Sequence, residues 1–201
     1  MFVQVIQGRT GKPDEVHAAM ERWRTELGPG AVGWLGSTGG VTDDGRLIAL
    51  ARFESADAAR RNSERPEQDR WWRETAALFD GDASFADSED VTLDLVGDPD
   101  KAGFVQVMRG HGTDTARARE LMTQDSEKWA AFRPEILGTV AVGHDGGGYT
   151  VAIYFTSEAE AREGERKEPP PELAAQMEEM NKLTTGQPEF LDLKHPWIYS
   201  P

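Results

Sequence analysis

One tetrapeptide opens both halves of the chain: Phe2-Val3-Gln4-Val5 returns as Phe104-Val105-Gln106-Val107, 102 positions on. The same shift carries Gly8 onto Gly110, Leu35-Gly36 onto Leu137-Gly138, and Asp43 and Gly45 onto Asp145 and Gly147. It also carries Phe53, Ser55, Ala59 and Arg60 onto Phe155, Ser157, Ala161 and Arg162, with no gap from Phe2 to Arg65. A duplication constrains the fold more tightly than any composition. It divides the 201 residues into two repeats, 1–98 and 103–201, joined by the polar segment Gly97-Asp98-Pro99-Asp100-Lys101. A unit of roughly 100 residues buries little core alone, and so short a linker keeps the halves neighbours.

Within the first repeat, Phe2 to Gln7 alternates and is rich in Val and Ile, as a strand requires. Pro13, Asp14 and Glu15 suit a helix start, and Val16, Ala19, Met20, Trp23 and Leu27 form one apolar stripe before Gly28-Pro29-Gly30. Strand patterns follow at Ala31 to Val41 and Arg46 to Phe53, with Asp43-Asp44-Gly45 as the hairpin turn. Ser55 caps a helix beginning Ala56, Pro66 interrupts it, and a second segment runs from about Glu67 to Phe79. Gly81 ends that segment, and a last strand lies between Ala83 and Val96. The order β-α-β-β-α-β is that of ferredoxin-like folds. The second copy repeats it, with a helix from about Ala116 to Phe132, a hairpin at Asp145-Gly146-Gly147-Gly148, a strand Tyr149 to Phe155 and a last helix Pro171 to Leu183. Gly186, Phe190 and Asp192 match Gly81, Phe85 and Asp87 once the shift grows to 105. The expected class is α+β. Two such repeats would bury their open sheet faces against each other as an intramolecular pseudo-dimeric α/β barrel.

The net charge is −14, with 36 acids against 22 bases. That balance repels nucleic-acid phosphates and anionic membranes. No apolar run nears the ~18 residues that span a bilayer, and the N-terminus reads as a strand rather than a signal peptide. With no cysteine there is no disulfide, thiolate nucleophile or Cys-based zinc site. The expected location is cytoplasmic. His17, His111, His144 and His195 show no metal-ligand spacing, and neither glycine-rich stretch, Gly8 to Pro13 or Gly33 to Gly40, fits a phosphate loop. Metal and nucleotide cofactors are therefore not expected.

The opening strand, the hairpin leading into Phe53-Glu54-Ser55 and an Ala-rich helix, and Pro66-Glu67-Gln68-Asp69-Arg70-Trp71-Trp72 together resemble antibiotic-biosynthesis-monooxygenase-like domains of the dimeric α/β-barrel superfamily. The likeness spans the chain, one domain per half. It implies a pocket in each unit between sheet and helices. In oxygenase members it implies reaction of polycyclic phenols with O₂, without metal or flavin. A haem-degrading branch uses an Asn on the first strand with a Trp and a His on the last helix; this chain offers Gln4 or Gln7 on that strand and no His on either last helix. In the quinone-forming branch an Asn and a Trp near the last helix are typical, and Asn62, Trp71 and Trp72 stand there. The resemblance thus implies a small hydrophobic or aromatic ligand. The chain is expected as a monomer with an internal pseudo-dimer, or as a homodimer. A non-catalytic binding or structural protein on the same fold is the alternative.

Each candidate residue has two readings. Trp71 and Trp72 point about 100° apart on a helix; their matches Gln176 and Met177 make Trp72 the core residue and Trp71 the cavity wall, or both simply pack. Gln4 and Gln106, in apolar strands, either orient a ligand or satisfy backbone. Arg52 would neutralise a phenolate and the matching Tyr154 would donate to a substrate oxygen, unless both face away. Asp125 replaces Trp23 on an apolar stripe, marking a pocket or a local helix rotation. His111, which replaces Arg9 after the opening strand of the second copy, is the acid/base candidate. Asn62 completes the set; its match is Gly164, so the two pockets cannot be chemically equal.

Overall fold

A computed structural model describes all residues, 1–201. Strand β1 (Phe2–Arg9) leads into helix α1 (Pro13–Arg22), which carries Pro at its first turn and Asp14 and Glu15 at its positive end. The helix widens into a π-helical turn over Trp23–Leu27 and tightens over Gly28–Gly30. Strands β2 (Trp34–Val41) and β3 (Arg46–Phe53) form the hairpin, with Gly45 at φ +79° as the turn demands. Helix α2 (Ala56–Ser63) is capped by the Ser55 hydroxyl, which accepts from the Ala58 N–H at 3.2 Å. Pro66 begins a separate helix α3 (Pro66–Ala76), and strand β4 (Ser84–Ser88) follows.

The second repeat gives β6 (Phe104–Gly112), β7 (Ile136–Gly143), β8 (Gly148–Phe155), α6 (Glu158–Gly164), α7 (Pro171–Leu183) and β9 (Thr184–Leu193). Its first helix is not the continuous Ala116 to Phe132 segment expected. It is α4 (Thr115–Thr123) and α5 (Ser126–Phe132), parted where Asp125 takes a left-handed conformation at φ 57°. Asp tolerates that region better than most residues. The first repeat deforms at the matching place by widening its turn at Trp23, so the same helix yields twice, in two ways.

The chain between Ala83 and Val96 holds two strands rather than one: β4 and, after Glu89-Asp90, β5 (Val91–Asp94). They belong to different sheets. One sheet has the order β10-β2-β3-β1-β4, where β10 is Trp197–Tyr199; the other has β5-β7-β8-β6-β9. All pairs are antiparallel. The folded units are therefore Met1–Glu89 with His195–Pro201, and Asp90–Lys194. Each takes its outermost strand from just beyond the last strand of the other repeat. The registers agree under the duplication: Thr92 faces Ala141 and Leu93 faces Val140, as Trp197 faces Gly39 and Ile198 faces Thr38. Glycine makes room for these outer strands. A Cβ on Gly36 would lie 2.7 Å from the Tyr199 carbonyl oxygen, and one on Gly138 would lie 3.0 Å from that of Asp94. Both glycines sit at a register irregularity repeated in β2 and β7.

Both faces of the first sheet are occupied. Val3, Val5 and Ile48 are fully buried on one face, and Phe2, Leu47 and Phe53 are buried toward the helices on the other. Each such side chain contributes about 1.5–3 kcal/mol.

Candidate functional site

Each unit holds a cavity between its sheet and its helices. The first is about 250 Å³. Small residues on alternate strand positions, Gly39, Ala49 and Ala51, lower its floor. Five of the six tryptophans of the chain, Trp23, Trp34, Trp71, Trp72 and Trp197, form its walls. The Trp23 and Trp34 rings meet edge to face at 4.9 Å, and Trp72 meets Phe85 similarly at 5.2 Å.

Hydrogen bonds set the orientation of the polar groups. The Arg65 guanidinium, which can only donate, bonds the Asn62 carbonyl oxygen at 2.9 Å. That fixes the amide and leaves the Asn62 NH₂ group for the cavity. The Trp23 indole N–H donates to the Gln68 carbonyl oxygen at 2.6 Å, which likewise frees the Gln68 NH₂ group. Two amide donors thus line an aromatic chamber. Asp69 is the one carboxylate in the wall; it is exposed and paired with Arg73. Burial first, and the nearby Glu21 carboxylate second, push the Tyr199 phenol well above its ordinary range, so it remains an O–H at neutral pH.

Three candidates from the sequence meet in this cavity: Asn62, Trp71 and Trp72. Gln4 joins them at the edge, where its NH₂ group donates to Asp87 at 3.0 Å. Trp71 is a cavity wall, as expected, but Trp72 is a wall as well and not simply a core residue. Trp71 is the buried one, because its indole N–H donates to the Ala19 carbonyl at 2.9 Å, while Trp72 is half-buried. Gln176, which matches Trp71, is also buried and donates to the carbonyl of Leu121, the residue that matches Ala19. The matched position is therefore a helix-to-helix clamp as well as a cavity wall.

The remaining candidates lie outside both cavities. Arg52 and Tyr154 alternate with the cavity-facing residues of β3 and β8 and so occupy the other face of each sheet. Gln106 is buried and spends its NH₂ group on Asp192 at 2.9 Å. Asp125 sits at the helix break, with Lys128 at 3.1 Å. His111 is exposed at the end of β6. Gln68, Trp197 and Tyr199 also line the cavity, beyond the residues expected from the sequence. Gln68 stood in the quoted Pro66 to Trp72 motif, but its partner Trp23 lies 45 positions away.

No group of three or more His, Asp or Glu side chains converges as a metal-binding set, and no helix is long and apolar enough to cross a membrane. No protein-family model and no curated protein sequence matches the chain. Solved structures match across its length. A candidate monooxygenase from Lactobacillus acidophilus NCFM is 11% identical, with 99% of each chain covered and a TM-score of 0.69. An anthrone oxidase-like protein is 12% identical, covering 98% of this chain and 92% of that one, with a TM-score of 0.63. A ferredoxin-fold protein related to antibiotic biosynthesis monooxygenases, from Listeria monocytogenes 4b F2365, is 13% identical over 100% and 95%, with a TM-score of 0.52. The chain therefore shares the fold of these structures, two ferredoxin-like repeats in tandem.

Proposed function

We propose that the first unit binds a planar aromatic or polyketide-like molecule and oxygenates it with O₂, using neither metal nor flavin. The convergence of five indoles on one cavity whose wall also holds two amide donors carries this reading. Indole walls favour a flat ring, each good ring pair adding about 0.5–1.5 kcal/mol beyond burial. A phenol oxygen placed against the Asn62 and Gln68 N–H groups would have its developing negative charge stabilised there. The deprotonated ring then passes one electron to O₂, the ring radical and superoxide join in a C–O bond, and the resulting peroxide takes up a proton and loses water to leave a ring carbonyl; the chain contributes positioning and exclusion of water. Asp69, rather than His111, which does not line this cavity, is the candidate acceptor of the phenol proton. The anthrone oxidase-like neighbour shares the fold in which this chemistry is proposed.

A second reading, binding without turnover, is favoured by one observation: the only carboxylate in the wall is exposed and already paired with Arg73. Oxygen uptake and tryptophan quenching with anthrone and a dihydroxynaphthalene separate the two. Quenching with oxygen uptake supports the oxygenase, and quenching alone supports the binder. An unchanged fluorescence spectrum across both compounds removes either reading. Asn62→Ala should weaken binding about tenfold, the worth of one strong hydrogen bond.

A further inference from the structure

The cavity of the second unit is larger, about 320 Å³, and built from other side chains. Four of the six methionines of the chain, Met108, Met122, Met177 and Met180, line it. Its single indole, Trp129, is committed to the Gln176 carbonyl oxygen at 2.8 Å. The Gln176 NH₂ group is in turn spent on the carbonyls of Leu121 and Gln124. No amide donor is left over, and Gly164 stands where the first unit has Asn62. Methionine is unbranched, flexible and polarizable, so such a lining moulds to a mobile chain instead of clasping a flat ring.

One buried polar atom of this lining is left without a partner. The Thr139 Oγ1 lies buried in the wall with no hydrogen-bond partner. Its match in the first unit, Ser37, accepts from the Trp34 indole N–H at 3.0 Å. Ile136 occupies the place of Trp34, so the hydroxyl has kept its position and lost its donor. A buried hydroxyl without a partner is costly, and a ligand oxygen would relieve it. That oxygen should be uncharged. Asp90 and Asp94 both line the cavity, and Arg119, the one cation there, is already paired with Asp90. An added carboxylate would meet net negative charge.

We infer that the second unit binds a flexible aliphatic chain bearing one neutral oxygen, a long-chain alcohol or ketone, with its chain among the methionines and its oxygen on Thr139. This site is independent of the aromatic site proposed for the first unit.

Methyl-¹³C-methionine labelling of the full chain provides the test, with 1-octanol as probe and methionine-to-leucine variants for assignment. Octanol should shift Met108, Met122, Met177 and Met180 and leave Met20, which lines the first cavity, in place. Thr139→Val, nearly isosteric, should weaken octanol about fivefold, and octanoate should bind at least tenfold more weakly than octanol. Ala141→Phe should fill the cavity and abolish the shifts, and the Thr139→Val result stands if that variant fails to fold. Any of four results overturns the inference: no methionine shift at saturation, a shift confined to Met20, equal binding of octanoate, or octanol affinity untouched by Thr139→Val. Anthrone added to the same sample should move Met20. Its failure, with octanol still bound, would count against the aromatic site alone.

Discussion

The two units share a strand order, a hairpin, a serine cap and a helix clamp, yet their interiors are opposite. The first cavity is walled by indoles and carries the Asn62 and Gln68 donors; the second is walled by thioethers and has lost those donors. Frame positions keep their chemistry between the repeats: Ser55 and Ser157 both cap a helix, and Trp71 and Gln176 both donate to the matched carbonyls of Ala19 and Leu121. Cavity positions do not: Trp34 becomes Ile136, Asn62 becomes Gly164 and Trp23 becomes Asp125. A duplicated fold can thus hold its scaffold constant while each copy acquires a different interior. Function is then assigned cavity by cavity.

Four measurements would break or sharpen this contrast. The largest effect is expected from Trp71→Ala, which removes a buried indole and its bond to Ala19. It should cost about 3–5 kcal/mol in denaturant titration, against about 1–3 for Gln176→Ala, which orphans Trp129 and two carbonyls. Equal costs would mean that the clamp, not the indole wall, dominates both units. Next comes Gly164→Asn, which grafts the donor of the first cavity onto the second unit. The new side chain would meet Arg133 and Glu135, an ion pair whose side chains are only 14% and 5% exposed. Displacing so buried a pair should cost about 3 kcal/mol, and a variant as stable as the parent would show that the second cavity could have kept an amide.

Ser55→Ala and Ser157→Ala should each cost about 1 kcal/mol. Similar values would confirm the frame as the shared part, whereas a twofold difference would place divergence in the scaffold as well. The smallest effect concerns pH. Burial first, and then the Arg109 charge, hold His144 below the ordinary imidazole range. Its match, Thr42, does not titrate. The folded state resists protonating His144, so as pH falls through about 6.5 the unfolded chain gains the proton first and stability declines. His144→Thr should flatten that decline between pH 7 and the folded value, as read by thermal midpoints at pH 7.5 and 5.5. An unchanged slope would show that His144 does not drive the decline.

Much of this frame was legible before any coordinates. The Ser55 cap, the Asp43-Asp44-Gly45 hairpin and the bounds of Pro171–Leu183 follow from local chemistry, which acts over a few residues. The outer strands were not, because Val91–Asp94 and Trp197–Tyr199 are short and their pairing partners lie far along the chain. The polar Glu89-Asp90 break was the available sign that one strand pattern was two. Whether Arg52 and Tyr154 face the cavities is not legible, because β3 and β8 are apolar on both faces and alternation alone does not say which face is hollow. The cavities themselves had a quieter signature: Gly39, Ala49 and Ala51 at alternate positions, opposite large aromatics.

The borrowed outer strands bear on biosynthesis. A ribosome that has made residues 1–89 has made every segment of the first unit except its edge, and β2 stays unpaired on that side until Trp197–Tyr199 emerges. Dividing the gene at the linker would give two polypeptides, each with a raw sheet margin and a stray ribbon suited to the other. Expressed apart, such fragments should precipitate; expressed together, they should reassemble by trading ribbons.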